Sequence, residues 1–353
     1  MRPPVRPTLR WIGLLLLSLA TLEIAARADD FLREGAPLLG AYSLNGLTRP
    51  GAFGREGVPG ARYAKWRMNR LGYRGPEVPP GRTAVLAYGA SETFGLHEGP
   101  DREFPRVLEA DLDAWQPGRY SVVNIALPGL RIGRVGYLAQ AIERTRAAYV
   151  VIYPSPANAI GLTAPVCLAP AGPVANPDDP AGWFRFPAKL AQRVRSIAPP
   201  MILDAARQLA IRWATRDEPP MQTVPQATLD AFREDLRCVV RTVRERGAAP
   251  ILATHASYFG GAGSADDRRQ LTAWRRYYPA LREDGLVDLE RRANDLIRSV
   301  AAEQGVVLAD AAREIPGGPS HFADFAHFND AGAARMARLI ADTVARAAGE
   351  PAP

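Results

Sequence analysis

Residues 83–95 read Thr-Ala-Val-Leu-Ala-Tyr-Gly-Ala-Ser-Glu-Thr-Phe-Gly. Thr83 to Tyr88 form a short apolar run that stops at Gly89, the pattern of a strand buried on both faces. The next residues, Ala90-Ser91-Glu92, suit a strand turning directly into a helix. Ser91 then sits at a helix start, where free backbone N–H groups can hold negative charge. The stretch is not a Gly-x-Ser-x-Gly elbow, because position 93 is threonine. Taken alone, Ser91 reads first as a helix cap.

Outward from there the rhythm repeats. Phe104 to Trp115 has helical spacing, and Tyr120 to Ala126 is a second strand closed by Pro128-Gly129. Arg134 to Arg146 reads as a helix and Ala148 to Tyr153 as a third strand. Ala227 to Arg246 is a long amphipathic helix, followed by Pro250 to His255 as a fourth strand. Asp288 to Gln304 is a helix, Val306 to Ala309 a fifth strand, and Asp330 to Ala348 a closing helix capped by Asn329 or Asp330. Five apolar strands alternating with helices predict an α/β fold, a parallel five-stranded sheet covered on both faces. In such sheets ligands bind beyond the carboxyl ends of the strands.

Before this domain, placed at residues 83–350, residues 29–82 are rich in Gly, Pro and Arg and read as a wrapping lead-in. Residues 159–225 break the rhythm. They hold a Pro/Ala/Gly-rich stretch at 164–182, the aromatics Trp183, Phe184 and Phe186, and a helical piece from Met201 to Trp213. An insertion this long reads as a lid or binding element.

At the N-terminus, Arg2, Arg6 and Arg10 precede the uncharged run Trp11 to Leu22, and Ala26-Arg27-Ala28 suits a cleavage site. Residues 1–28 therefore read as a signal peptide or an uncut signal anchor. As a helix, Trp11 to Ala26 spans roughly 24 Å, short against a hydrocarbon core of about 30 Å. Both readings export the remainder, to the periplasm or another space outside the cytoplasm. Membrane contact is then expected only through residues 11–26, and only if the segment stays uncleaved.

The 353 residues are 47% hydrophobic and 23% charged, which excludes a mostly disordered or fibrous chain. The formal charge is +7, yet the arginines are scattered among acids, as in Arg233-Glu234-Asp235 and Arg282-Glu283-Asp284. A nucleic-acid binder gathers its cations into a stripe, so no nucleic-acid partner is expected. Cys167 and Cys238 are too few for a disulfide scaffold; pairing and two buried thiols are both open. No Cys/His spacing points to zinc, and no metal or organic cofactor is expected.

Chemistry-bearing groups fall after the strands. Gly129 follows the second and Asn158, in Pro156-Ala157-Asn158-Ala159, the third; a glycine N–H and an asparagine amide are oxyanion-hole donors. Near the C-terminus comes His321-Phe322-Ala323-Asp324-Phe325-Ala326-His327. In a helical turn Asp324 and His327 would share one side, letting the carboxylate orient the imidazole. His255, ending the fourth strand, reads as a satisfied hydrogen-bonding group, and His321 ranks below His327 as a base. Tyr258 to Tyr278 combines five aromatics with Arg268, Arg269, Arg275 and Arg276, either packed on the core or gripping a sugar.

Over roughly residues 65–348 the chain resembles the SGNH (GDSL-like) hydrolase family. Ser91 matches its nucleophile, Gly129 its second-block glycine, Asn158 its third-block asparagine, and Asp324 with His327 its Asp-x-x-His. Arg67 to Glu77 also looks like the lead-in of exported bacterial members. Two departures stand out: the family's Gly-Asp-Ser is Gly-Ala-Ser at Ala90, and its Gly-x-Asn-Asp ends in Ala159. Both remove carboxylates that would steady the loops.

The resemblance implies a flavodoxin-like three-layer fold and a serine esterase. Ser91, Asp324 and His327 would be its triad, and the Ser91 and Gly129 N–H groups with the Asn158 amide its oxyanion hole. The expected substrate is an acylated small molecule, glycan or lipid, with O-acetyl esters on envelope or exopolysaccharide glycans foremost. The alternatives are an O-acyltransferase using the same triad and a non-catalytic glycan-binding module.

Overall fold

The computed structural model describes residues 7–34, 36–39, 43–169, 184–216, 219–259 and 265–351. Arg2, Arg6 and Trp183, and most of the Pro/Ala/Gly-rich stretch, lie outside the described residues.

At the centre lies a five-stranded parallel sheet. Its strands are β5 (Thr83–Gly89), β6 (Tyr120–Asn124), β7 (Tyr149–Tyr153), β8 (Ala249–Ala253) and β9 (Val307–Ala309), in the order β6-β5-β7-β8-β9. Strand side chains alternate between two cores. Leu86, Tyr88, Val150, Ile152 and Leu252 face one layer of helices; Val85, Ala87, Val151, Tyr153, Ile251 and Ala253 face the other. Because both faces are buried, the strands read as unbroken apolar runs.

The first layer contains α4 (Val135–Thr145), α7 (Gln226–Glu245) and α9 (Glu283–Gln304). The second contains α3 (Phe104–Trp115) and α11 (Asp330–Ala348), which pack on each other and on the sheet. This is the predicted three-layer α/β/α architecture. Asn329 caps α11 by accepting from Gly332 N at 3.0 Å.

Several element boundaries differ from the sequence reading, β8 among them, which ends at Ala253 so that His255 lies just beyond the strand. The second strand stops at Asn124, where Asn124 Oδ1 accepts from Ala126 N at 3.1 Å and turns the chain out of the ladder. Helix α9 starts at Glu283, one turn early, with Glu283 and Asp284 favoured near a helix N-terminus. Helix α1 (Pro7–Glu34) runs through Ala26-Arg27-Ala28 into the start of the expected lead-in. An i,i+4 contact of Arg27 with Glu23 at 2.7 Å helps carry it past that motif. From Trp11 to Leu22 its side chains are largely exposed, and Arg10–Arg33 is long and apolar enough to cross a membrane.

The lead-in folds as two small hairpins, β1 (Thr48–Gly51) with β2 (Gly54–Gly57) and β3 (Arg62–Tyr63) with β4 (Trp66–Arg67). They are tied to the carboxyl end of the sheet. Arg74 N donates to Asn124 O at 3.0 Å, and its buried guanidinium donates to Gly95 O and to Glu103 at 2.8 Å. Trp66 Nε1 donates to Gly95 O, and Arg55 to Pro128 O.

Within the insertion, α6 (Pro200–Ala214) contains the predicted helical piece, and α5 (Arg185–Ile197), which the sequence reading did not give, precedes it. Helix α5 begins against α1, where Glu23 accepts from the backbone N–H groups of Arg185 and Phe186 at 2.9 Å. Cys167 and Cys238 form a disulfide with Cα atoms 6.3 Å apart, joining the start of the insertion to α7.

Candidate active site

Ser91 opens the single-turn helix α2 (Ser91–Phe94) directly beyond β5. The turn ends at Gly95, whose N–H bonds Ser91 O at 3.0 Å with φ at +83°. That left-handed conformation favours glycine, and a Cβ there would also run into Glu103 and Arg74. The short helix is pinned from β6, where Asn124 Nδ2 donates to Thr93 O at 3.0 Å. Ser91 follows β5 and Asn158 follows β7, so both flank the point where successive connections leave in opposite directions.

Asp324 and His327 meet closely. Both Asp324 oxygens lie 2.9 Å from His327 Nδ1. The turn that brings them together is not the helical one expected from their spacing. Asp324 Oδ1 itself accepts from Ala326 N at 3.0 Å and His327 N at 2.8 Å, which stabilises a tight non-helical loop. An isolated bridge between Phe322 and Phe328 closes it. Burial works against charge on the Asp324 carboxyl, but hydrogen bonds from His327 and His97 hold it well below the ordinary carboxylate range. Burial likewise opposes charge on His327, and the Asp324 contact outweighs it, so the imidazole titrates above its ordinary value.

Ser91 Oγ donates not to His327 but to Glu92 Oε2, at 3.2 Å. His327 Nε2 is buried and has no hydrogen-bond partner among the described residues. Glu92 acts by charge on His327 as well, so Ser91 and the imidazole share one electrostatic environment.

The expected oxyanion donors sit on the loops after β6 and β7, the two strands that flank β5. Gly129 is exposed in a turn with φ +74°, and Asn158 Nδ2 donates to Leu130 O at 3.1 Å, linking the two loops. No acceptor takes the Ser91 or Gly129 N–H among the described residues.

Three groups escaped the sequence reading. His97 Nε2 lies 3.3 Å from Asp324 Oδ2, and its ring centroid is 5.1 Å from that of His327. Nothing in the chain order links position 97 to 324. Glu92 also accepts from Ser155 Oγ at 2.8 Å, tying the Ser91 turn to the Asn158 loop. A carboxylate thus returns next to Ser91 although Ala90 and Ala159 carry none. Glu290, from α9, lies 2.8 Å from His255. His255 is buried and hydrogen-bonded through Nδ1 to Glu290 as expected, while its Nε2 lies 3.4 Å from Glu92 without a hydrogen bond. His97, Asp324 and His327 each offer one ligand atom within 4.8 Å of the others. A cation held there would occupy the atoms that orient His327, so the two uses exclude each other.

Between Tyr258 and Tyr278, most aromatics pack inward. Trp274 is buried between Phe259 and Phe325, each 5.6 Å away by ring centroid. Its faces are used to brace the Asp324 loop and are closed to a sugar; Tyr277 alone of the five is exposed.

No family model matches the chain, and no curated protein matches it. Among solved structures it is similar to a lipase/acylhydrolase from Enterococcus faecalis, at 14% identity over 73% of this chain and 93% of that one, with a TM-score of 0.43. A catalytic mutant of an acetylxylan esterase from Geobacillus stearothermophilus shares 13% identity over 76% and 96%, with a TM-score of 0.43. An α/β hydrolase from the metagenome of Lake Arreo, Spain, shares 17% over 74% and 94%, with a TM-score of 0.40. The functional assignment rests on the geometry of the site rather than on these likenesses.

Proposed function

We propose that the protein is a serine ester hydrolase acting through an acyl-enzyme on Ser91. The observation that carries this reading is the Asp324–His327 pair at 2.9 Å, whose imidazole feels the charge of Glu92, the residue that follows a serine opening a helix at the end of a central strand. In the reaction His327 Nε2 takes the Ser91 proton as the oxygen attacks the ester carbon. Asp324 fixes the tautomer, keeping the proton of the neutral ring on Nδ1. The oxyanion that forms is held by the Ser91 and Gly129 N–H groups and the Asn158 amide, each donor contributing about 10²–10³ in rate. Alcohol leaves with the proton from His327, and water then repeats the sequence on the acyl-enzyme.

The substrate class is O-acyl, foremost O-acetyl, esters on glycans outside the cytoplasm. Export is supported by the exposed apolar face of α1 and by the Cys167–Cys238 bridge, a bond that persists in oxidising compartments.

The test is p-nitrophenyl acetate hydrolysis by the full chain in detergent, with Ser91→Ala and His327→Ala as controls. Turnover that both substitutions abolish in folded protein supports the reading. A Ser91→Ala protein as active as the parent would overturn it.

A further inference from the structure

Beneath Ser91 runs a chain of buried ionisable groups that the triad chemistry does not use. Glu92 Oε2 accepts from Ser91 Oγ at 3.2 Å, and Glu92 Oε1 accepts from Ser155 Oγ at 2.8 Å. His255 Nε2 stands 3.4 Å from Glu92 Oε1, an ion-pair separation without a hydrogen bond, and His255 Nδ1 is hydrogen-bonded to Glu290 Oε2 at 2.8 Å. The backbone of His255 is clamped by Asn294, which accepts from its N–H at 2.7 Å and donates to its carbonyl at 2.9 Å. Tyr153 stacks on the His255 ring at 5.4 Å. The three members come from α2, the loop just beyond β8 and α9, and each is at least 95% buried.

Burial alone would leave an imidazole neutral and a carboxyl protonated. Here burial is outweighed on both. The two flanking acids raise His255 to about 10, and contact with His255 holds Glu92 down at about 2. A carboxylate that acidic takes no proton near neutrality, so Glu92 does not compete with His327 as the base. It does hold the nucleophile's hydroxyl, while His327 Nε2 has no hydrogen-bond partner among the described residues.

We propose that Glu92, fixed from behind by His255 and Glu290, is a positioning residue that parks the Ser91 hydroxyl away from His327 until substrate arrives and whose charge supports the imidazolium formed during attack. The proposal rests on the esterase reading. When an ester carbonyl enters, the Ser91 O–H swings from Glu92 Oε2 to His327 Nε2. The proton passes to His327 as the oxygen–carbon bond forms and the carbonyl electron pair moves onto oxygen; nothing transfers to Glu92. The groups acting on Glu92 are Ser91, Ser155, His255 with Glu290 behind it, His327, and the phenols of Tyr153 and Tyr278, with Arg131 acting on Tyr278. His327 is faced in addition by Asp324, His97 and Glu98.

Two measurements on the full chain in detergent test this. The first is kcat/KM against pH, with p-nitrophenyl acetate, for the parent, Glu92→Gln and Glu92→Asp. Removing the Glu92 charge makes His327 easier to deprotonate, so the acid limb of Glu92→Gln should move down by about half to one pH unit. Its kcat should fall about tenfold with KM little changed, while Glu92→Asp keeps the parent limb. An unshifted limb in folded Glu92→Gln overturns the proposal. The second is ¹⁵N-histidine NMR of the parent at pH 8, which needs neither a variant nor turnover and decides the matter if Glu92→Gln does not fold. His255 protonated on both nitrogens supports the chain, and a neutral His255 overturns it. Loss of the esterase reading is told apart by the Ser91→Ala control, since the NMR result does not depend on turnover.

Discussion

His97 Nε2 lies 3.3 Å from Asp324 Oδ2, so one carboxylate serves two imidazoles, His327 from within its own loop and His97 from beyond α2. The two differ in exposure, His327 being nearly enclosed and His97 close to half open to solvent. Asp324 keeps its His327 contact and two backbone N–H bonds if His97 is removed. His97→Ala should therefore retain activity within about tenfold, whereas His327→Ala should lose about 10³-fold or more. Steady-state kinetics on both variants check this. Equal losses would mean that His97, not only His327, moves the proton.

A second expectation concerns the rate profile. His327 must be neutral to act as a base, and its contact with Asp324 raises its affinity for the proton. Activity should then fall as pH drops through a value above about 6.5, the ordinary histidine midpoint. Asp324→Asn should lower that limb and cost about 10³–10⁴ in kcat by releasing the tautomer. A parent limb at or below pH 6 would contradict the assignment.

Stability should respond to pH on both sides. His255 holds its proton up to about 10 when folded and only to about 6.5 when unfolded, so its contribution is complete below about 6.5 and lost as pH rises towards 10. Glu92 is lowered to about 2, so its contribution is complete above about 4.5 and lost as pH falls towards 2. Thermal melting should peak near pH 5–6 and decline either way. His255→Gln should flatten the alkaline decline, and calorimetry across pH 2–10 reads both.

The ion pair of Arg74 with Glu103 joins the lead-in to α3 with both side chains almost wholly buried, at 4% and 1% exposure. Removing one partner strands the other charge, which typically costs about 3–5 kcal/mol. Arg74→Met should destabilise by that order in urea unfolding, and Arg74→Met with Glu103→Leu should recover part of it. An Arg74→Met protein as stable as the parent would show that the lead-in does not depend on the pair.

Reducing the Cys167–Cys238 bridge frees a closed loop spanning 71 positions. The expected cost is about 2–4 kcal/mol, seen as a lower melting temperature in dithiothreitol. The bridge joins the insertion to α7 and touches neither Ser91 nor His327, so ester turnover below the melt should persist. A melt unchanged by reductant would contradict this.

What could be read from the chain alone was what is local. A strand buried on both faces must be apolar throughout, so Thr83 to Tyr88 and Tyr149 to Tyr153 announce themselves without neighbours. The helix of Asp330–Ala348 carries its cap at Asn329, and Asp324 lies three residues from the imidazole it orients. From these came the parallel sheet and the end of it that carries chemistry, while the candidate triad came from the resemblance that Ser91, Asp324 and His327 bear to a family's motifs. Contacts between residues far apart in sequence leave no such mark. His97 reaches Asp324 across 227 positions, as β5 and the last loop converge at one end of the sheet. Glu92, His255 and Glu290 come from three separate parts of the chain, and a buried acid looks like a surface acid until its partner is in place. Trp274 reads as a sugar platform until Phe259 and Phe325 cover its faces. Whether Cys167 meets Cys238 depends on how the insertion returns to α7. Periodicity and turn chemistry act over a few residues and so decided the fold; distance, burial and charge pairing act through space, and only tertiary structure decides them.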